Sequence, residues 1–135
     1  MEQTKEFALT LEDRPGSLAK VTDAIAKAGV NIEGFCAVPS GKEGKGTFHV
    51  VTKDPANTRK ALEAAGFKVQ DERDVAIIDV EDRPGTAAQI FRRLAQNELN
   101  LGPTYSLTQN RIVISADDFS KLRETLQELA PARRM

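Results

Sequence analysis

The stretch Leu11-Glu12-Asp13-Arg14-Pro15-Gly16, LEDRPG, returns as VEDRPG from Val80 to Gly85. Placing Asp13 on Asp82 sets an offset of 69 residues (82 − 13), and the register holds beyond the turn. GSLAKVTDAIAKAGVNI, beginning at Gly16, then lies over GTAAQIFRRLAQNELNL, beginning at Gly85. Leu18, Val21 and Ile25 fall on Ala87, Ile90 and Leu94, and Asn31 falls on Asn100. Two long copies, each holding several elements, indicate a duplicated small domain rather than a solenoid of short units. The expected domains are residues 1–72 and 73–135.

Each copy carries its own punctuation. In EFALTLE the residues Phe7, Leu9 and Leu11 alternate at period two, which predicts a strand that the Asp13–Gly16 turn ends. From Ser17 the apolar positions Leu18, Val21, Ile25 and Ala28 recur at helical spacing, and Gly29 supplies a left-handed stop. VNIEGFCAVP and GTFHVVTK read as two strands around the glycine- and lysine-rich loop Ser40–Gly46. Asp54-Pro55 suits a helix entrance, with Ala61, Leu62 and Ala65 on one stripe up to Gly66, and FKVQDE closes the copy as a short strand. The order βαββαβ predicts an α+β fold in which helices cover one face of an antiparallel sheet, the ferredoxin-like arrangement.

The second copy follows with VAIIDVE, the helix after Gly85, LNLGPTYSLT, RIVISA, and a helix striped by Phe119, Leu122, Leu126 and Leu129. No sixth element follows that helix, so this copy lacks its last strand. A bare sheet edge invites pairing, so another strand, from this chain or a second one, is expected to cover it. The copies also differ: Ile32-Glu33-Gly34 becomes Leu101-Gly102-Pro103, and the long hairpin loop shrinks to a tight turn near Gln109-Asn110. Pro103 cannot donate a ladder bond, so its strand is expected at an edge or bulged. The two copies are therefore expected to be unequal at any shared site.

Composition removes several function classes. Among the 135 residues, 19 basic side chains face 20 acidic ones, and aromatic residues make up 5%. That balance lacks the basic stripe and stacking surface of a nucleic-acid binder, and it offers nothing to an anionic membrane. No apolar run approaches the roughly 20 residues of a membrane span, and the charged start does not read as a signal peptide, so a cytoplasmic protein is expected. Cys36 is the single cysteine, which rules out an intrachain disulfide and a cysteine-based metal cluster. His49 sits in an apolar strand and reads as a packed or half-exposed histidine, and Cys36 as a small hydrophobe. The Ser40–Gly46 loop lacks the spacing and following helix of a phosphate cradle. Arg92-Arg93 reads as a solvated helix face, and Ala132–Arg134 as a solvated tail. No catalytic set, metal ligand set or cofactor motif emerges, so neither enzyme activity nor a cofactor is expected.

The βαββαβ order, a helix opened by a small residue, and, in both copies at matched distances, the D-R-P-G turn directly after the first strand and the Asn-Ile or Asn-Leu start of the second strand resemble a tandem pair of ACT domains. The resemblance implies a free-standing regulatory module that binds a small ligand, most often an amino acid, held between domains at the turns. It also implies a homodimer, with a regulated enzyme as a further partner. Carried over by position, the ligand-contact residues are Asp13, Arg14, Pro15, Gly16, Ser17 and Leu18 with Asn31, Ile32 and Glu33. In the second copy they are Asp82, Arg83, Pro84, Gly85, Thr86 and Ala87 with Asn100, Leu101 and Gly102. The alternatives are an interaction module without a ligand and an enzyme of amino-acid metabolism.

The turn has its own physical case. A chain that turns straight into a helix offers unpaired N–H groups and the positive end of the helix dipole, which suit a carboxylate. Gly16 and Gly85 leave room for close backbone approach, and Pro15 and Pro84 stiffen the bend. Arg14 and Arg83 are candidates for a bidentate carboxylate contact, and Asn31, Asn100, Asp13 and Asp82 for an amino group. Against this stands a reading without any ligand, in which the Asp caps the helix, the Arg is solvated, the Pro fixes φ and the Gly permits the bend. The Asn residues equally suit a local bond after a helix.

Overall fold

The computed structural model describes residues 1–41 and 43–133. The chain divides into two compact units, one of Thr4–Arg73 and one of Met1–Gln3 with the chain from Asp74 onward. The elements are β1 (Glu2–Glu12), α1 (Ser17–Lys27), β2 (Ile32–Pro39), β3 (Lys45–Thr52), α2 (Pro55–Ala64), β4 (Val69–Asp79), α3 (Thr86–Gln96), β5 (Leu101–Leu107), β6 (Arg111–Ala116) and α4 (Phe119–Arg133).

In the first unit the strand order is β2-β3-β1-β4. β3 runs antiparallel to both β1 and β2, with Phe7 opposite Val50, Leu9 opposite Phe48, and Ala37 opposite Phe48. Alternation along the strands puts Phe7, Leu9, Phe48 and Val50 on the face that Val21, Ile25 and Leu62 of the helices cover, and these residues form the buried core. α1 ends as its sequence predicts: Gly29 has φ +73°, its N–H donates to Ala26 O, and Val30 N–H donates to Ile25 O. Arg59 of α2 donates to Glu72 of β4 at 2.7 Å and pairs with Glu63 one turn on, and these bonds, Glu72 first, raise its pKa above the usual arginine value.

The entrance to α2 behaves as its sequence reads. Asp54 is the N-cap, its Oδ1 accepting from Asn57 N–H at 3.2 Å, with Pro55 in the first turn. Asp54→Ala is expected to cost about 1 kcal/mol in denaturant unfolding. Asp13→Ala, at an exposed position without such a bond, is expected to stay within about 0.5 kcal/mol of the parent.

The second unit repeats the plan. β6 runs antiparallel to β4 and β5, with Ala76 opposite Ile114 and Tyr105 opposite Val113. Its core gathers Ala76, Ile78 and Ile114 with Ile90, Leu94, Leu122 and Leu126. Several core positions answer those of the first unit at the 69-residue offset: Leu9 and Ile78, Val21 and Ile90, Ile25 and Leu94. Gln109 and Asn110 have φ +62° and +54°, the paired positive values of a tight type I′ hairpin turn. β5 is an edge strand, and its register shifts between Leu101 and Thr104, around Pro103. β2 shifts at the matching place, between Ile32 and Gly34.

Several sequence expectations are corrected. Most of FKVQDE and of VAIIDVE joins in one continuous strand, β4 (Val69–Asp79), because neither Gly nor Pro interrupts the polar residues between them. The place that a fourth strand of this unit would take lies beside β4. The strand order puts β1 there, and the first residues of β1 belong to this unit. Arg92 is exposed, but Arg93 is half-buried and donates to Asn97 Oδ1 and to Glu128 of α4, so it joins two helices rather than facing solvent alone. α4 extends through Ala132 and Arg133, which were expected in a tail, whereas Arg134 lies outside the described residues.

Candidate functional site

The two D-R-P-G turns fold alike. Gly16 has φ +92° and ψ −12°, and Gly85 has φ +91° and ψ −12°, the left-handed region in which a Cβ is disfavoured. A Cβ at either position would meet nothing within 4 Å, so backbone conformation alone calls for glycine there. The hydrogen bonds repeat with the same offset: Arg14 N–H to Glu12 O, Ser17 N–H to Arg14 O and Lys20 N–H to Gly16 O answer Arg83 to Glu81, Thr86 to Arg83 and Gln89 to Gly85. Each arginine also pairs with the glutamate two residues earlier, Arg14 with Glu12 at 3.4 Å and Arg83 with Glu81 at 2.8 Å. All four of these side chains are largely exposed, so the pairs set orientation more than stability.

The capping explanation of the aspartates fails. The N-cap residues of α1 and α3 are Gly16 and Gly85, and neither helix receives a side-chain cap. Asp13 and Asp82 stand three residues too early to reach the first turn. Both helices therefore begin with backbone donors that no side chain satisfies, at the positive end of the helix dipole.

A cavity opens beside each turn. The first, about 250 Å³, is lined by Leu11, Glu12, Asp13, Arg14, Ser17 and Leu18 from the turn and by Ala37, Val38, Pro39, Gly46 and Thr47 from the β2–β3 hairpin. The second, about 360 Å³, is lined by Val80, Glu81, Asp82, Arg83, Gly85, Ala87 and Ala88 and by Ser106, Leu107, Asn110, Arg111 and Ile112. Antiparallel register explains the meeting of turn and hairpin: Leu11 stands opposite Gly46, and Gly46 opposite Pro39. Gly46 is required by space, since a Cβ there would lie 2.9 Å from Val38 O. The hairpin loop also touches the turn directly, where Asp13 N–H donates to Gly44 O at 2.7 Å.

The predicted site residues fall into two groups. Asp13, Arg14, Ser17 and Leu18 line the first cavity, and Asp82, Arg83, Gly85 and Ala87 line the second. Pro15 and Pro84 are exposed, and Thr86 is buried with no hydrogen-bond partner for its Oγ1. The residues after the helices are elsewhere. Asn31 and Asn100 are exposed and follow α1 and α3, whose 11 residues separate them from the turn of the same unit by about 16 Å. The Asn100 backbone N–H donates to Asp117 Oδ1, 17 residues along the chain, and this is not the local side-chain bond expected of the asparagine. Ile32 and Leu101 pack against the two cores, the Glu33 side chain is mostly buried and pairs with Lys53, and Gly102 lies exposed on edge strand β5.

Sequence reading missed the hairpin residues of both cavities, Ala37 to Pro39 with Gly46 and Thr47 in the first, and Ser106 and Leu107 with Asn110 to Ile112 in the second. Register was the available signal, because a hairpin that pairs with β1 to its last residue must arrive beside the turn. It also missed Glu6, which is fully buried with Oε1 3.1 Å from His49 Nδ1 and 3.8 Å from Arg73 Nε. His49 is thus a packed histidine with a carboxylate partner. Among the described residues no group of three His, Cys, Asp or Glu side chains is placed to hold a metal ion, and no helix is long and apolar enough to cross a membrane.

Comparison with known proteins places this geometry. The model of the ACT domain matches residues 7–66, which lie within the first unit. Protein BT0572 from Bacteroides thetaiotaomicron is 27% identical, with a TM-score of 0.82 over 93% of this chain and 88% of that one. The regulatory subunit of aspartate kinase from Thermus thermophilus is 21% identical, with a TM-score of 0.67 over 93% of this chain and 94% of that one, a likeness of fold. No curated protein matches the chain in sequence.

Proposed function

We propose that the chain is an amino-acid-sensing regulatory module built from two ACT-like domains, 1–72 and 73–135, that binds its ligand in the turn cavities. The observation that carries the reading is that each copy opens a cavity where an uncapped helix begins. At about 250 and 360 Å³ the cavities lie just below and near the lower end of the roughly 300–1,000 Å³ of drug-sized sites, in keeping with a ligand as small as an amino acid. In the first cavity the ligand carboxylate faces the backbone donors after Gly16, and the Asp13 and Glu12 carboxylates supply negative charge for its ammonium group. The ACT match over residues 7–66 supports the assignment for the first copy, and the aspartate kinase regulatory subunit supplies a precedent of fold for a module acting on an enzyme. On this reading the partners are an amino acid, a second copy of the chain and a regulated enzyme, and the module itself performs no catalysis.

Unfolding measured with each of the twenty amino acids tests the proposal. A ligand present at 100 times its dissociation constant is expected to stabilise the protein by about 2.7 kcal/mol. Absence of any shift at millimolar concentration of all twenty would overturn the reading in favour of an interaction module without an amino-acid ligand.

A further inference from the structure

We infer that the first turn cavity selects amino acids with aliphatic side chains, and that the second does not share this preference. The inference rests on the turn cavity being an amino-acid site. Leu18 belongs by spacing to the apolar stripe of α1, yet it is 44% exposed, while Val21 and Ile25 of the same stripe are fully buried. Val38 is 52% exposed on β2. Single exposed apolar side chains are ordinary. Here, however, Leu18 and Val38 line one concavity together with Leu11, Ala37 and Pro39. That leaves apolar surface on the wall beside the uncapped helix end, where a side chain attached to a bound carboxylate would lie.

The duplicate serves as an internal control. At the 69-residue offset Leu18 becomes Ala87. Strand register carries Ala37, opposite Phe48, to Ser106, opposite Ile112, and Thr47, opposite Val38, to Arg111, opposite Leu107. The second cavity keeps aliphatic residues, Leu107 and Val80, where the first has Val38 and Leu11, but it loses the large aliphatic contact from its helix and gains a hydroxyl and a guanidinium. Turn and helix start are kept in both copies, so the part that would hold the carboxylate is common and the part that would read the side chain has diverged.

The test is calorimetric titration of the full chain with L-leucine, L-alanine, L-serine and L-aspartate, repeated on Leu18→Ala and on Val38→Ser. Each buried CH₂ is worth roughly fourfold in affinity, so L-leucine is expected to bind at least about tenfold tighter than L-alanine at a cavity open on one side. Each substitution is expected to remove most of that preference. Both altered positions are exposed, and unchanged unfolding midpoints would show that the variants fold. A preference for L-leucine over L-alanine that is absent, or that both substitutions leave untouched, would overturn the inference while leaving the amino-acid reading standing, as would L-serine or L-aspartate binding that equals that of L-leucine and is weakened by Leu18→Ala. Failure of all four to bind would overturn the inference, and a silent panel of the remaining amino acids would then remove the reading as well.

Discussion

Glu6→Ala is expected to lose about 3–5 kcal/mol of unfolding free energy, the usual consequence of removing one member of a buried charged group. Glu6 is inaccessible to solvent, and its Oε1 lies 3.1 Å from His49 Nδ1 and 3.8 Å from Arg73 Nε. The 3.1 Å separation is a hydrogen bond between the Glu6 carboxyl group and the His49 imidazole. Alanine would leave His49 without this hydrogen bond in a site where the histidine side chain is 14% exposed. It would also take the nearby charge from Arg73, whose Nε already has no hydrogen-bond partner. Glu6→Gln keeps an acceptor for the histidine and is expected to cost less, about 1–3 kcal/mol. Glu12→Ala, which breaks the exposed pair with Arg14, is expected to cost under about 1 kcal/mol. Urea unfolding of the three variants measures this ordering, and equal losses at Glu6 and Glu12 would contradict it.

Phe48→Ala is expected to cost a similar amount, about 3–5 kcal/mol, for a different reason. Phe48 is fully buried on the central strand β3, opposite Leu9 on one side and Ala37 on the other, inside the cluster formed with Phe7, Val21, Ile25 and Leu62. Truncation there loses apolar burial and leaves a void that sheet and helices cannot both close. Phe35 offers the contrast: its ring centroid is 5.9 Å from that of Phe48, but it is 51% exposed on β2. Phe35→Ala therefore forfeits mainly the ring contact, about 0.5–1.5 kcal/mol. A lower urea midpoint with an unchanged slope is the expected signature for Phe48→Ala.

The repeat made most of the fold readable, because the same turn, stripe and stop residues at one offset leave few arrangements of strands and helices. Local chemistry was legible where one residue decides the matter, as at Gly29, at Asp54 and at the Gln109-Asn110 turn. Reading failed where an outcome depends on distant partners. Asp13 looked like a cap because caps are common before helices, but the turn uses two further residues before Gly16 becomes the N-cap. Leu18 looked like core because helical spacing cannot say where the facing sheet ends. Arg93 looked solvated because its partners Asn97 and Glu128 come from the next turn and another helix. Of the candidate site, the turn half was visible as a motif. The hairpin half was not, since Ala37, Val38 and Thr47 carry no chemistry until strand register brings them beside the turn.

The most direct test of the central claim is a heteronuclear NMR titration of the ¹⁵N-labelled full chain with L-leucine. Saturable amide shifts are expected, largest at Gly16, Ser17 and Leu18 and extending to Ala37 and Val38. Saturable shifts confined to Asn31–Glu33, or no shifts at millimolar L-leucine, would contradict that claim.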